Sequence, residues 1–287
     1  MTVQSFRWIR SAFLILGVGS LLFVTYTSAS QSVERKQADI AADLLSGDYR
    51  RVDAALNAIP IYPDPESKRY WHLEPGFTAS PPLVEALIEV LEQETAQYAR
   101  MDSGEPYKIM PGEMHFSILH TVIALNDPQT IPSLMRNTHT GWGVKNALLD
   151  FGPQIVDEAI DCANNPGRAL VTAAGCLSIL GEAVERWPDN LDSHTRDRIT
   201  SAALLHLTCQ DATYRNERTP NAGFRPLVVA MKLAEVLDAE ELSKAMVRLA
   251  SDDRETWRTC GFDEPHTGLQ SKAKFLVEDQ ANRRERQ

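Results

Sequence analysis

The chain has 287 residues, 43% of them hydrophobic and 24% charged, enough for one extended helical array or two small domains, each with a substantial core. Lysine and arginine number 29 against 39 aspartates and glutamates, a formal net charge of −10, which excludes binding to nucleic acid or to an anionic membrane surface through net charge alone. The one basic-leaning stretch, Lys272, Lys274, Arg283, Arg284 and Arg286, is interleaved with Glu278, Asp279 and Glu285, as on a solvated terminal helix, so no nucleic-acid partner is expected.

Arg7 and Arg10 precede an uncharged apolar run from Ala12 to Tyr26, and the small residues Thr27, Ser28, Ala29 and Ser30 lead into polar sequence. This order predicts a signal peptide over 1–30. The run is short for a spanning helix, which needs about 20 residues; extended back to Trp8, it reads as an uncleaved anchor over 8–26. Either way the arginines stay on the cytoplasmic side and the rest is exported, to the periplasm or the extracellular space, with membrane contact only through that segment. Export puts Cys162, Cys176, Cys209 and Cys260 in an oxidising setting. They lack C-x-x-C spacing, so no zinc site is expected. Cys162 and Cys176 stand at unequal distances from a turn near Asn165-Pro166, which predicts a Cα separation beyond the ~7 Å limit for a bridge. Cys209 and Cys260 sit at helix ends and are better placed, although four small buried thiols remain the simpler expectation.

Val33 to Ile59 reads as two short helices around Gly47-Asp48, with Ile40, Ala41, Leu44 and Leu45 on one apolar face and Val52, Ala55, Leu56 and Ile59 on the other. From Pro60 to Pro82 six prolines forbid regular helix, and the stretch is rich in aromatics. Tyr70, Trp71 and His72 are its candidate binding residues, able to stack on a sugar ring or a proline-rich peptide; the simpler expectation is an ordered insertion packed back onto the rest. Leu83 to Met101 is a helix entered through Pro81-Pro82, with Leu83, Leu87, Val90 and Leu91 inward and Glu85, Glu89, Glu92 and Glu94 outward. His115 and His120 are five residues apart, roughly 140° around a helix, and cannot ligate one metal from one face. His139, His194, His206 and His266 stand alone in sequence, and no G-x-S-x-G, P-loop or H-E-x-x-H pattern occurs, so no catalytic residue, metal or cofactor is expected.

Between Glu113 and Asn164 the apolar spacing is helical: Phe116, Leu119, Val122 and Ile123, then Ile131, Leu134 and Met135, then Val144, Ala147, Leu148 and Phe151, then Ile155, Val156, Ala159, Ile160 and Ala163. Asn126-Asp127-Pro128 and Gly152-Pro153 form near-equivalent joints, the mark of helix pairs repeated at short period. Arg168 to Trp187 is apolar nearly all round and should be buried on most sides. Ser193 is expected to cap the next helix, Gln210 to Asn221 to form a polar loop, Phe224 to Leu237 to pair with Glu240 to Ala250, and Trp257 with Phe262 to form a plug. The remainder, 263–287, is expected as an exposed helical tail.

The runs Asp127-Pro128-Gln129-Thr130-Ile131-Pro132-Ser133-Leu134 and Val144-Lys145-Asn146-Ala147-Leu148-Leu149-Asp150-Phe151-Gly152 resemble HEAT repeats, members of the ARM-like α-solenoids. The likeness is good over Ser117 to Asn164, moderate back to Gln37 and degenerate from Pro166 to Cys260. It implies an all-α chain, an α/α superhelix over 33–262 interrupted by the 60–82 insertion, and a concave face lined by the second helix of each pair. By that resemblance the face carries Gln154, Asp157, Asp161 and Asn164, with Arg136 and Lys244/Arg248 on flanking repeats. The expected function is a non-enzymatic exported scaffold binding a protein or peptide partner there. The alternative is a solenoid-supported hydrolase or glycan-binding module centred on the 60–82 loop, with His72 or Glu74 at its site.

Overall fold

The computed structural model describes residues 36–101, 112–165, 169–210 and 224–284. The expected signal segment, and the bodies of the loops expected over Tyr107–Gly112 and Gln210–Asn221, lie outside them. Among the described residues the chain is mostly helical, with one hairpin of two three-residue strands. It divides into two compact units, Met1–Ile61 with Leu73–Thr121, and Tyr62–His72 with Val122–Gln287.

In the first unit, α1 (36–44) ends at Gly47, whose φ of 67° suits a residue without Cβ. Asp48 then caps α2 (Tyr49–Asn57) by accepting the backbone N–H groups of Arg50 and Arg51 at 2.8 and 3.3 Å. The expected apolar residues of both helices are buried except Leu45, which is exposed. α3 (Pro81–Met101) opens on proline, whose missing N–H is no loss in a first helical turn. Glu94, expected to face out, is only 2% exposed. It falls three residues after Leu91 and four after Val90, so helical spacing overrides the charge. Gln37 clamps the approach to α3, donating to the Thr78 carbonyl at 2.9 Å and accepting the Ser80 N–H at 2.6 Å, so its buried amide is used on both sides. In α4 (Gly112–Leu125) Phe116, expected inward, is 41% exposed, while Met114, His115, Ile118 and Leu119 are buried.

Prolines keep helix out of the 60–82 insertion, but β1 (Ile61–Pro63) pairs with β2 (Trp71–Leu73) where a loop was expected. Three-residue strands lack the alternation that would have announced them.

The second unit runs through α5 (Ile131–Arg136), α6 (Trp142–Asp150), α7 (Val156–Asn164), α8 (Leu170–Arg186), α9 (Ser193–Leu207), α10 (Phe224–Leu237), α11 (Glu240–Ala250), α12 (Arg254–Thr259) and α13 (Thr267–Arg284). Its joints before α5 and α7 share one build. Asn126 at φ 50° or Gly152 at φ 81° reverses the chain, and a proline-led 3-10 turn, Pro128–Thr130 or Pro153–Ile155, feeds the next helix. α8 packs against α7 on one side and α10 on another, and Leu177, Ile179, Leu180 and Ala183 are fully buried, as an all-round apolar helix requires. α9 is capped by Asp192, one residue before the expected Ser193. Asp192 accepts the Thr195 N–H at 2.7 Å, and that bond holds its carboxyl below the usual carboxylate range. His206 anchors α9 to α7 through a 2.9 Å hydrogen bond between Nε2 and the Ala163 carbonyl.

Gly175 marks the closest approach in this unit. A Cβ there would run into the Thr138 side chain and lie 3.0 Å from its carbonyl carbon, while Thr138 Oγ1 donates to the Thr172 carbonyl at 3.2 Å. Gly175→Ala should therefore destabilise the chain by about 1–3 kcal/mol, as overpacking does, despite the better helix propensity of alanine. Chemical denaturation reads the shift, and an unchanged midpoint would show that residues 138–140 move aside at no cost.

All four cysteines are bridged. Cys162–Cys176 links α7 to α8 at a Cα separation of 6.0 Å, overturning the expectation that this pair misses. That expectation counted helical rise from a turn of no length. Asn165 and Ala169, where α7 ends and α8 begins, are both extended, so the two helices do not meet at a point from which helical rise could be counted. Cys209–Cys260 joins the ends of α9 and α12 at 5.0 Å. Cys209 sits at φ 53° just past the α9 C-cap, its N–H donating to the His206 carbonyl while the next N–H, of Gln210, reaches back to Leu205 at 3.1 Å. This Schellman ending usually takes glycine at that position.

Trp257 is fully buried and meets Phe262 edge-on at 5.7 Å, the plug the sequence predicts. α13 corrects the expectation of an exposed tail. Leu269, Ala273, Leu276 and Gln280 form a buried stripe at helical spacing, α13 packs on α11, and the Gln280 side-chain amide oxygen Oε1 accepts the Ser243 hydroxyl at 2.8 Å. The stripe is narrow and includes a glutamine, so hydropathy alone hides it.

Candidate functional site

The residues expected on a binding face sit together at α7. Gln154 lies in the 3-10 turn before it, and Asp157, Asp161 and Asn164 follow along one exposed side. The Asp157 and Asp161 carboxylates are 73% and 74% exposed. Arg198 of α9 adds what the sequence did not announce: its guanidinium bridges both, meeting Asp157 directly and Asp161 at 3.6 Å. The acidic stripe is therefore a mixed-charge patch, with one fixed cation between two solvated anions. Arg136, on α5, is half-buried; burial lowers its pKa, opposed by the charge of Glu158. Lys244 pairs with Glu240 at 2.7 Å on α11, where Arg248 is also exposed.

Tyr70, Trp71 and His72 take an intermediate position, half-buried in the hairpin. Tyr70 and Trp71 meet edge-on at 5.2 Å, and the Tyr62 and His72 rings lie 5.8 Å apart. The turn between the strands is fastened to α6. Asn146 Nδ2 donates to the Lys68 carbonyl at 2.9 Å, and Arg69 Nε lies 3.7 Å from an Asp150 carboxylate oxygen. Tyr70 holds a φ of 72°, a conformation that costs a bulky residue energy and that this fastening sustains. These rings contact one another and remain partly open to solvent.

A third feature was not singled out from the sequence. A surface cleft of about 360 Å³ opens between the segment from Thr138 to Lys145, α8 and the first turns of α10. Its apolar wall is Val171, Ala174, Val228 and Val229, and its cations are Lys145 and Arg225. Lys145 Nζ donates to Glu182 at 3.0 Å; that bond, with Arg186 also on Glu182, holds the Glu182 carboxyl below its usual range. His139 Nδ1 lies 3.2 Å from the Thr172 hydroxyl. The three lining segments are distant in sequence, and only Lys145, the basic residue of the repeat-like Val144-Lys145 pair, gave a signal.

Two further histidines have structural partners: His206 ties α9 to α7, and His266 Nδ1 accepts the Leu269 N–H at 3.3 Å at the start of α13. Burial lowers the pKa of His120 and favours its neutral form. Among the described residues no group of three or more His, Cys, Asp or Glu side chains is placed to hold a metal ion, and no helix is long and apolar enough to cross a membrane. Comparison with protein-family models, with curated proteins and with solved structures gives no match.

Proposed function

We propose that the chain is an exported, HEAT-like α-solenoid scaffold that binds a protein or peptide partner across the α7 face. The carrying observation is the patch of Asp157 and Asp161 around Arg198, charged, solvated and set on packed helices. Such a patch steers a complementary partner and fixes its register. Gln154 and Asn164 supply hydrogen-bonding groups at its two ends, and Arg136 a flanking cation. Export is supported by the order of charge, apolar run and small residues over 1–30, and by two interhelical disulfides, which persist in oxidising compartments.

A photoreactive amino acid placed at Asp161, and separately at Tyr70, tests the reading in intact cells. The expected result is one discrete adduct from position 161 that Asp157→Lys weakens in a salt-dependent way. Adducts from position 70 with none from 161 would move the site to the hairpin and favour the loop-centred hydrolase or glycan-binding alternative.

A further inference from the structure

We propose that the cleft between α8 and α10 binds a small aliphatic carboxylate, a function separate from partner binding on α7 and built from none of its residues. The volume of about 360 Å³ is of ligand size and small against a protein interface. Val171 and Ala174 of α8 face Val228 and Val229 of α10, a wall that gains by losing water to an alkyl chain. Charge at the mouth has one sign: the lining residues include Lys145 and Arg225 and no acid. Lys145 is committed to Glu182. Arg225 is exposed and makes no hydrogen bond or ion pair with any described residue, so its planar fork is available to a carboxylate. It stands in the first turn of α10, where the helix dipole also favours an anion. Ser178 adds a hydroxyl. A cationic, half-apolar recess in a chain of net charge −10 selects an anion with an apolar body over a cation of the same shape.

Calorimetric titration of the full chain with octanoate, acetate, octylammonium and the N-acetylated dipeptide Ala-Val tests this. Octanoate should bind at one site, with acetate and octylammonium each at least tenfold weaker. Arg225→Ala, at an exposed position where folding is not at stake, should weaken octanoate about tenfold, whereas Arg248→Ala, which removes equal charge from α11, should leave it unchanged. Val228→Trp should fill the cleft and abolish binding, with circular dichroism confirming the fold. No octanoate binding, equal affinity for octanoate and octylammonium, or indifference to both Arg225→Ala and Val228→Trp would overturn the proposal. Tighter binding of the dipeptide than of octanoate would overturn it in favour of a peptide carboxyl terminus.

Discussion

Replacing Cys209 and Cys260 together with alanine should destabilise the chain by about 4 kcal/mol, the loop-entropy value for a bridge spanning 51 residues. That corresponds to a fall in melting temperature of roughly 10 °C for a unit of this size. A backbone cost present in both the parent and the alanine variant can be relieved separately. Cys209 holds a left-handed backbone conformation, which costs an L-residue roughly 1 kcal/mol and glycine nothing. Cys209→Gly with Cys260→Ala should therefore recover about 1 kcal/mol relative to the double alanine variant, while still falling well short of the parent. Removing Cys162 and Cys176 should cost less, about 3 kcal/mol, because that bridge closes only 14 residues. Melting curves of the variants, with thiol titration of the purified parent, decide the matter. Four titratable thiols in the parent, or an unshifted melting temperature in the Cys209/Cys260 variant, would remove the bridges from the stability of the fold.

Leu177→Ala should cost about 2–5 kcal/mol, since Leu177 is 0% exposed and lies midway along α8, between the helices packed on either side. The spread reflects how far α7 and α10 can close over the space left behind. Neighbouring Gly175 already sits against Thr138, so collapse from that direction is blocked, and the upper half of the range is expected. Glu185→Ala, on the same helix but exposed, should change stability by less than about 0.5 kcal/mol. Denaturant midpoints of the two variants give the comparison. Equal midpoints would mean that α8 is not the buried rod of its unit.

The candidate residues on α7 were legible because exposure there follows from spacing within one helix. Asp157 and Asp161 are four apart, opposite Val156, Ala159, Ile160 and Ala163, and the structure leaves them solvated. Arg198, which bridges them, comes from a helix some forty residues later, and nothing in either local pattern couples the two. The cleft was hidden for the same reason: Lys145, Val171 and Arg225 share no sequence neighbourhood. The hairpin was half legible, since prolines announce the absence of helix while three-residue strands are too short for a period.

Helical class, the order of the helices, the proline-led joints, the Asp48 cap and the burial of α8 on most sides were determined by the sequence itself. Each depends on residues within a few positions of one another, where backbone preference and the 3.6-residue period act. Tertiary structure alone decided the pairing of Cys162 with Cys176, the docking of α13 and the bridging of the acidic stripe by Arg198. These depend on the offset and rotation of one helix against another, which connection lengths and close approaches such as that of Gly175 to Thr138 determine, and which no local period encodes.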